Sequence, residues 1–442
     1  IRRCLNNATD KAYKQAVRQM AEKVQALQLL GDSVTMSLPF ERTSAWVTNV
    51  DIDNPYGNLD FDQLKILANE LSLLFSKYSY IVNSFVNIDA FRGETYFKAS
   101  DGVQYAQPLS LIRIEFFGEA VASDGSVLPN RTELFFRDTR EIAETSELYH
   151  YVSDLAMQLK AMAGASVVTD DFYTGPVLFA DEAAVEAFAQ AFIENEPNIV
   201  ASAVLLKIKS GGGGAKSPSS SLESMIDKQI VNRTIDVDAV NTKPIFESTP
   251  LIGSFYIDAD GVKAEDKFEI IRNGELVRVL TSRMTTGHQE FSNGHLRLAL
   301  RNNCIAAEPG PGVLELSCHQ QMNEPQLLKM LCKQARAQGL QYSFVIRKIL
   351  EVDDQHLIFA QRVNTVSGKS ENVCFSCANG LDIFDFQYLT ASSKTKKAYN
   401  RLIRQDCNKG KNCNESLSGV PSSFIVPEML YFEKVNLLNV NR

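Results

Sequence analysis

The sequence predicts an α+β fold: an N-terminal helix-and-sheet domain followed by a β-rich C-terminal domain with a large mixed or antiparallel sheet. Three observations carry this. Apolar residues recur at helical spacing in three early segments. Runs of β-branched and aromatic residues, broken by Asp-Gly pairs, follow the second of them. After residue 250, turn dipeptides and alternating runs dominate around a single strong helix.

Taken in order, Tyr13, Ala16, Val17, Met20, Val24 and Leu27 fall on one helical stripe, with Thr9 as the expected N-cap. A second helix follows Asp62 and aligns Leu64, Leu67, Leu71, Leu74, Phe75 and Tyr78. Strands are predicted over Ile81 to Phe91 and Glu94 to Ala99, with Asp101-Gly102 supplying the positive φ of a tight hairpin. Leu109 to Ala122 and Arg131 to Arg137 repeat the pattern around Asp124-Gly125. A third helix carries Leu148, Val152, Leu155, Leu159 and Met162.

The join at Ser166 to Thr174 divides the chain into an N-terminal domain over 1–165 and a C-terminal domain over 171–442. Pro176 to Phe179 reads as a brief strand, after which Asp181 caps a helix running through Phe192. Residues 210–221 hold four consecutive glycines and a Ser-rich tail, too little apolar surface to order unaided, so a mobile loop is expected. It reads either as a flap near a groove or as a solvated excursion. Beyond it, Gly253 to Asp258, Asp266 to Arg272 and Glu275 to Thr281 are predicted as a three-strand meander, turning at Asp260-Gly261 and Asn273-Gly274. Pro325 to Gln338 is a helix stopped by Gly339. Gln341 to Leu350 and His356 to Val366 are further strands.

The 442 residues are 45% apolar and 22% charged, which excludes a mainly disordered or collagen-like chain. No apolar run reaches the roughly 18 residues of a membrane-spanning helix, so no membrane span is expected. The net charge of −8 argues against a grip on nucleic-acid phosphates. Eight cysteines are too few for a disulfide-built scaffold. The start at Ile1 reads as a processed or trimmed end, which leaves the periplasm or envelope open beside the cytoplasm.

Candidate metal chemistry is sparse. No His-Glu-x-x-His helix occurs. His288, Glu290 and His295 lie in a Gly- and Asn-bearing segment that could converge on a cation as a loop; alternatively His295 shapes a turn. Cys374-Phe-Ser-Cys377 and Cys407 to Cys413 offer four thiols, read either as a structural zinc site or as disulfides or free thiols. Phosphate-cradling glycine loops and nucleophile elbows are absent from the sequence. No cofactor is expected.

Tyr173-Thr-Gly-Pro-Val-Leu-Phe-Ala-Asp-Glu-Ala-Ala-Val-Glu-Ala-Phe188 resembles the opening of the C-terminal domain in the TldD/PmbA family, also called modulators of DNA gyrase. Gly253 to Val262, Ile271-Arg-Asn-Gly-Glu-Leu276, Ser292 to Arg297 and Pro421 to Leu430 follow in the order of that family's later pieces. Ser100-Asp-Gly102 and Pro108 to Arg113 fit in the first domain. The resemblance implies zinc-peptidase ancestry, with a His-Glu-x-x-x-His helix and a later Cys in a Gly-rich segment. Here the matching positions are Ala189, Gln190 and Glu194, and Cys407-Asn-Lys-Gly is a loose echo of the Cys segment. Alanine has no lone pair, and a carboxamide does not accept a proton at neutral pH.

The resemblance thus implies a non-catalytic subunit that shapes a groove for unfolded peptide, as a homodimer or with an active TldD-like subunit. Two alternatives stand beside it: a metallopeptidase with a non-standard metal site, and a non-enzymatic envelope interaction protein.

Overall fold

The computed structural model describes residues 2–30, 59–99, 102–142, 145–168, 170, 172–201, 222–283, 292–301, 304–352, 355–378, 380–403 and 417–440. The predicted loop at 210–221 lies outside the described residues, as do His288, Glu290, Cys407 and Cys413.

Helix α1 spans Arg2–Leu30. It runs through Thr9, which therefore does not cap it; an interior Thr costs a helix only a few tenths of a kcal/mol, and the Asp10–Lys14 pair one turn apart offsets part of that. Helix α2 spans Phe61–Leu74, and its N-cap Asp60 accepts from the Gln63 amide at 3.0 Å. Three antiparallel strands follow in the order β1 (Ile81–Lys98), β2 (Gln104–Val121) and β3 (Val127–Phe136). The expected break near Arg92-Gly93 is absent, because both residues stay paired with Ser110 and Leu109. Gly93 serves close packing instead: a Cβ there would lie 2.9 Å from Ile305 Cδ1. Gly102 and Gly125 take φ of 96° and 86° beside the two hairpin turns.

Helix α3 (Thr145–Ala163) packs with α2 on one face of this sheet. Strand alternation sorts β2 cleanly. Ile112, Ile114 and Phe116 face the helices, whereas Leu111, Arg113 and Glu115 face the rest of the chain.

The remaining elements build two larger sheets. Strands β4 (Ser166–Val167) and β5 (Phe172–Ala180) lead into helix α4 (Glu182–Ala189), which continues as a π-helical turn over Gln190–Glu194. Asp181 precedes α4 at φ 55° and makes no side-chain cap bond, contrary to expectation; its carboxylate pairs with Arg347 instead, at 3.0 Å. Next come β6 (Ile235–Ala239), β7 (Ile245–Phe246), β8 (Thr249–Pro250), β9 (Phe268–Arg272) and β10 (Glu275–Leu276). The predicted strand over Gly253 to Asp258 does not form. Its backbone is spent on turns and on arginine donors, and only an isolated bridge from Ile257 to Lys263 remains. The β9–β10 hairpin turns through Asn273 and Gly274, at φ 50° and 79°.

Strands β11 (Leu296–Arg301), β12 (Cys304–Pro309), β13 (Val313–Cys318) and β14 (Gln321–Met322) precede helix α5 (Glu324–Ala337). Asn323 and Gln326 form its capping box. The chain closes with β15 (Tyr342–Val352), β16 (Gln355–Asn364), β17 (Ser370–Cys377), β18 (Leu389–Ser393), β19 (Lys396–Ile403), β20 (Val420–Pro427) and β21 (Met429–Leu438). One mixed sheet of eight strands has the order β14-β18-β21-β5-β15-β16-β17-β4, and a mixed sheet of six has the order β10-β9-β6-β13-β20-β19. The fold is thus α+β, with a β-rich C-terminal region.

The main core lies between these two sheets, and α4 runs through it. Val177 and Phe179 of β5 point into this core, while Leu178 and Ala180 point to the opposite face, under α5. Phe188 and Phe192 are wholly buried, with ring centroids 4.6 Å apart. Burial of each contributes about 2–3 kcal/mol. No helix among the described residues is long and apolar enough to cross a membrane.

Candidate functional site

Residues Ala189, Gln190 and Glu194 sit where α4 gives way to its π turn, a local break that often marks functional positions. The Asn195 amide donates to the Gln190 carbonyl at 2.8 Å, and the Asn195 side chain donates to the Leu381 carbonyl at 2.9 Å, fixing the end of the turn. Gly380 packs so close that a Cβ would stand 2.6 Å from Gln190 Oε1.

Ala189 is wholly buried among apolar side chains. The Gln190 carboxamide donates to Glu186 Oε1 at 2.9 Å. The second oxygen of Glu186 accepts from Arg401 Nη1 at 2.7 Å, and Arg401 Nη2 stands 3.5 Å from Glu194 Oε1. Arg401 comes from β19, where alternation puts it on the core face with Ile403. Burial opposes its charge, but Glu186 and Glu194, and then Glu133 from β3, outweigh it and hold the guanidinium pKa above its ordinary value.

A zinc ion does not fit this set. The methyl of Ala189 has nothing to donate, and the carboxylates that remain already hold a guanidinium. A divalent cation beside that fixed charge is repelled, and oxygen ligands without imidazole or thiolate bind zinc weakly.

Charged residues continue from here toward the N-terminal sheet. Lys348 of β15 is buried; its ammonium lies 2.8 Å from Glu182 and 3.5 Å from the Thr132 hydroxyl of β3. On the N-terminal sheet, Arg113 is 2% exposed and holds Asp89 at 2.6 Å, Glu133 at 3.2 Å and Glu115 at 3.5 Å. Burial pushes the Glu115 carboxyl up. The two halves of the chain therefore meet along a polar seam in which carboxylates outnumber the cations they surround.

A second polar cluster joins the halves at Gly253 to Gly261. Arg137 donates to the carbonyls of Ile252 and Ser254 at 2.6 and 2.7 Å. Arg297 donates to the Gly253 carbonyl at 3.1 Å and stacks 3.6 Å over the Phe255 ring. Asp258 Oδ1 accepts the Asp260 and Val262 amides, and Oδ2 accepts that of Leu296. Burial, followed by the charge of Asp260, still pushes its carboxyl up to about 7. The Tyr105 hydroxyl from β2 donates to the Ala259 carbonyl at 2.8 Å.

His295 belongs to this cluster. Its Nδ1 donates to Asn293 Oδ1 at 2.7 Å, and its Nε2 accepts from Asn241 Nδ2 at 3.0 Å, roles that follow from the partners. Burial, then the charge of Arg297, lowers its pKa to about 3, so the ring is neutral with both nitrogens used.

Cys374 and Cys377 lie on β17, three positions apart, which places their side chains on opposite faces of the sheet. Cys377 joins the core between the sheets; Cys374 packs with Met162 and Phe359 on the other side. Two thiols on opposite faces do not chelate one ion. Burial pushes both up to about 12, and both are free. Among the described residues, no group of three or more His, Cys, Asp or Glu is placed to hold a metal.

Sequence reasoning reached the α4 positions but missed Arg401, Arg113 and Lys348. The available signal was a basic residue at an inward-facing position of an apolar strand, as in Leu111-Ile112-Arg113-Ile114.

No protein-family model matches the chain, and no curated protein matches it by sequence. Solved structures do. A candidate modulator of DNA gyrase from Thermotoga maritima superposes with a TM-score of 0.58 at 12% identity, over 93% of this chain and 82% of the other. TldE from Thermococcus kodakarensis does so at 0.54 and 13%, over 85% and 73%. A second candidate gyrase modulator, from Bacteroides thetaiotaomicron, does so at 0.55 and 10%, over 87% and 74%. The α4-centred pair of sheets and the seam beside it are thus set in the TldD/PmbA-family fold.

Proposed function

We propose that this chain is a TldD/PmbA-fold protein without zinc-peptidase chemistry, which holds unfolded peptide along the seam between its 1–165 and 171–442 domains. The clasp of Arg401 between Glu186 and Glu194 carries the reading. Hydrolysis of an amide needs an electrophile and a base that activates water. At the matching positions stand a methyl, a carboxamide and a carboxylate bound to a guanidinium. What remains is a polar seam in which carboxylates outnumber cations, suited to binding rather than cutting. The chain acts as a dimer in this reading, either with itself or with an active TldD-like subunit whose groove it completes.

A labelled unfolded peptide tests this by fluorescence anisotropy and by gel, with the protein alone and mixed with a TldD-like protein, with and without chelator. Binding without cleavage by the protein alone is expected. Chelator-sensitive cleavage by the protein alone contradicts the reading.

A further inference from the structure

We propose that Arg137 and Arg297 form a binding site for a small dianionic oxyanion, a phosphate group or a dicarboxylate, where the two halves of the chain join. The site is separate from the acid-rich seam and does not depend on peptide binding there.

Arg113 and Arg401 are balanced by acids, the first by three carboxylates and the second by two. Arg137 and Arg297 form no ion pair with a described residue. Each commits only Nη2, and only to carbonyl oxygens: Arg137 to Ile252 and Ser254 at 2.6 and 2.7 Å, Arg297 to Gly253 and Pro421 at 3.1 and 3.5 Å. A guanidinium carries donors on all three nitrogens, yet Nε and Nη1 of both residues have no acceptor among the described residues. Arg297 is 6% exposed, and its Nε is buried without a partner. Carbonyl oxygens return only part of the hydration that a buried charge gives up, so such charges are ordinarily paired.

The two guanidiniums are neighbours, because they grip consecutive carbonyls from opposite halves of the chain, Arg137 just after β3 and Arg297 on β11. Burial, then the charge of Arg137, pushes Arg297 down to about 9, and burial lowers Arg137 as well. The acids nearby do not balance them. Asp258 spends both oxygens on backbone amides. Glu141 accepts from the Arg137 amide at 2.7 Å and makes no ion pair with the guanidinium. Ser254, between the two arginines in this contact, is 7% exposed, and its hydroxyl has no hydrogen-bond partner among the described residues. Arg137 is half-buried and its neighbour Tyr256 is 61% exposed, so a ligand approaches from their side. Two guanidiniums with unused donors match two negative charges spread over oxygen atoms.

Calorimetric titration of the full chain in chloride buffer, with inorganic phosphate and with succinate, tests the proposal, together with melting temperatures in the same solutions. At least one of these dianions should saturate a single site per chain and raise the melting temperature, and the tighter one names the class. R137M and R297M should each weaken that binding at least tenfold and abolish the thermal shift, while R233M, at an exposed position, leaves both unchanged. R137K keeps a cation on the two carbonyls and guards against a variant that does not fold; it should still bind several-fold more weakly. Arginines that only tie the halves together would lower the melting temperature equally with and without dianion. That pattern, the lack of a saturable site in the parent, or binding that survives R137M and R137K overturns the proposal.

Discussion

Arg401 donates to Glu186 at 2.7 Å across 215 positions of sequence, tying the edge strand β19 to the helix that threads the core. The same guanidinium faces Glu194, so one cation neutralises both ends of the α4 carboxylate face. The bond holds the π turn against the sheet and places a permanent positive charge beside the carboxylates of α4 and its turn.

Replacing Arg401 with Met should cost about 2–3 kcal/mol in urea unfolding. It strands two partly buried carboxylates, and breaking a buried pair at one end is worse than removing both charges. The triple change R401M/E186Q/E194Q should recover part of the loss. Equal stability of R401M and the parent contradicts the role given to this clasp.

Acid stability should be governed by two buried groups that oppose one another. The native pKa of Asp258, about 7, lies above its ordinary 3.8. The native state therefore holds the extra proton between about pH 4 and 7, and this contribution falls as pH rises through that window. The native pKa of His295, about 3, lies below its ordinary 6.5. The unfolded state holds that proton between about pH 3 and 6.5, so this contribution falls as pH drops. Over pH 4 to 6.5 the slopes offset. D258N should expose the histidine slope, with stability rising by up to about 1.4 kcal/mol per pH unit. H295Q should give the opposite sign. Parallel pH profiles for the parent and both variants refute the pairing.

Thiol labelling under native conditions, read by peptide mapping, should mark Cys304 quickly and leave Cys374 and Cys377 unmodified. Cys304 is exposed, whereas the other two are buried with little thiolate at neutral pH. Rapid modification of Cys374 contradicts its packing against Met162.

Much of the fold was legible because local chemistry agreed with the tertiary result. Asp62 and Leu64 announce α2, though its cap is Asp60, two residues earlier; Asn273-Gly274 announces a hairpin, and Gly339, at φ 76°, ends α5. Gly253 to Asp258 misled because Phe255 and Ile257 alternate like a strand, yet Arg137 and Arg297 reach their carbonyls from distant segments. The Cys-x-x-Cys spacing left a zinc site open beside disulfides or free thiols, because spacing alone does not say that a strand separates Cys374 and Cys377 by face. The α4 positions could be named from resemblance, but not the clasp. Arg401 and Glu186 meet only after two sheets have closed over one helix, and no local pattern encodes that meeting.

Zinc content is the most direct measurement of the central claim: the purified chain is equilibrated with zinc, dialysed and analysed for bound metal. Well under one-tenth of an equivalent is expected, unchanged by E194Q. One tightly held equivalent per chain, lost on E194Q, contradicts it.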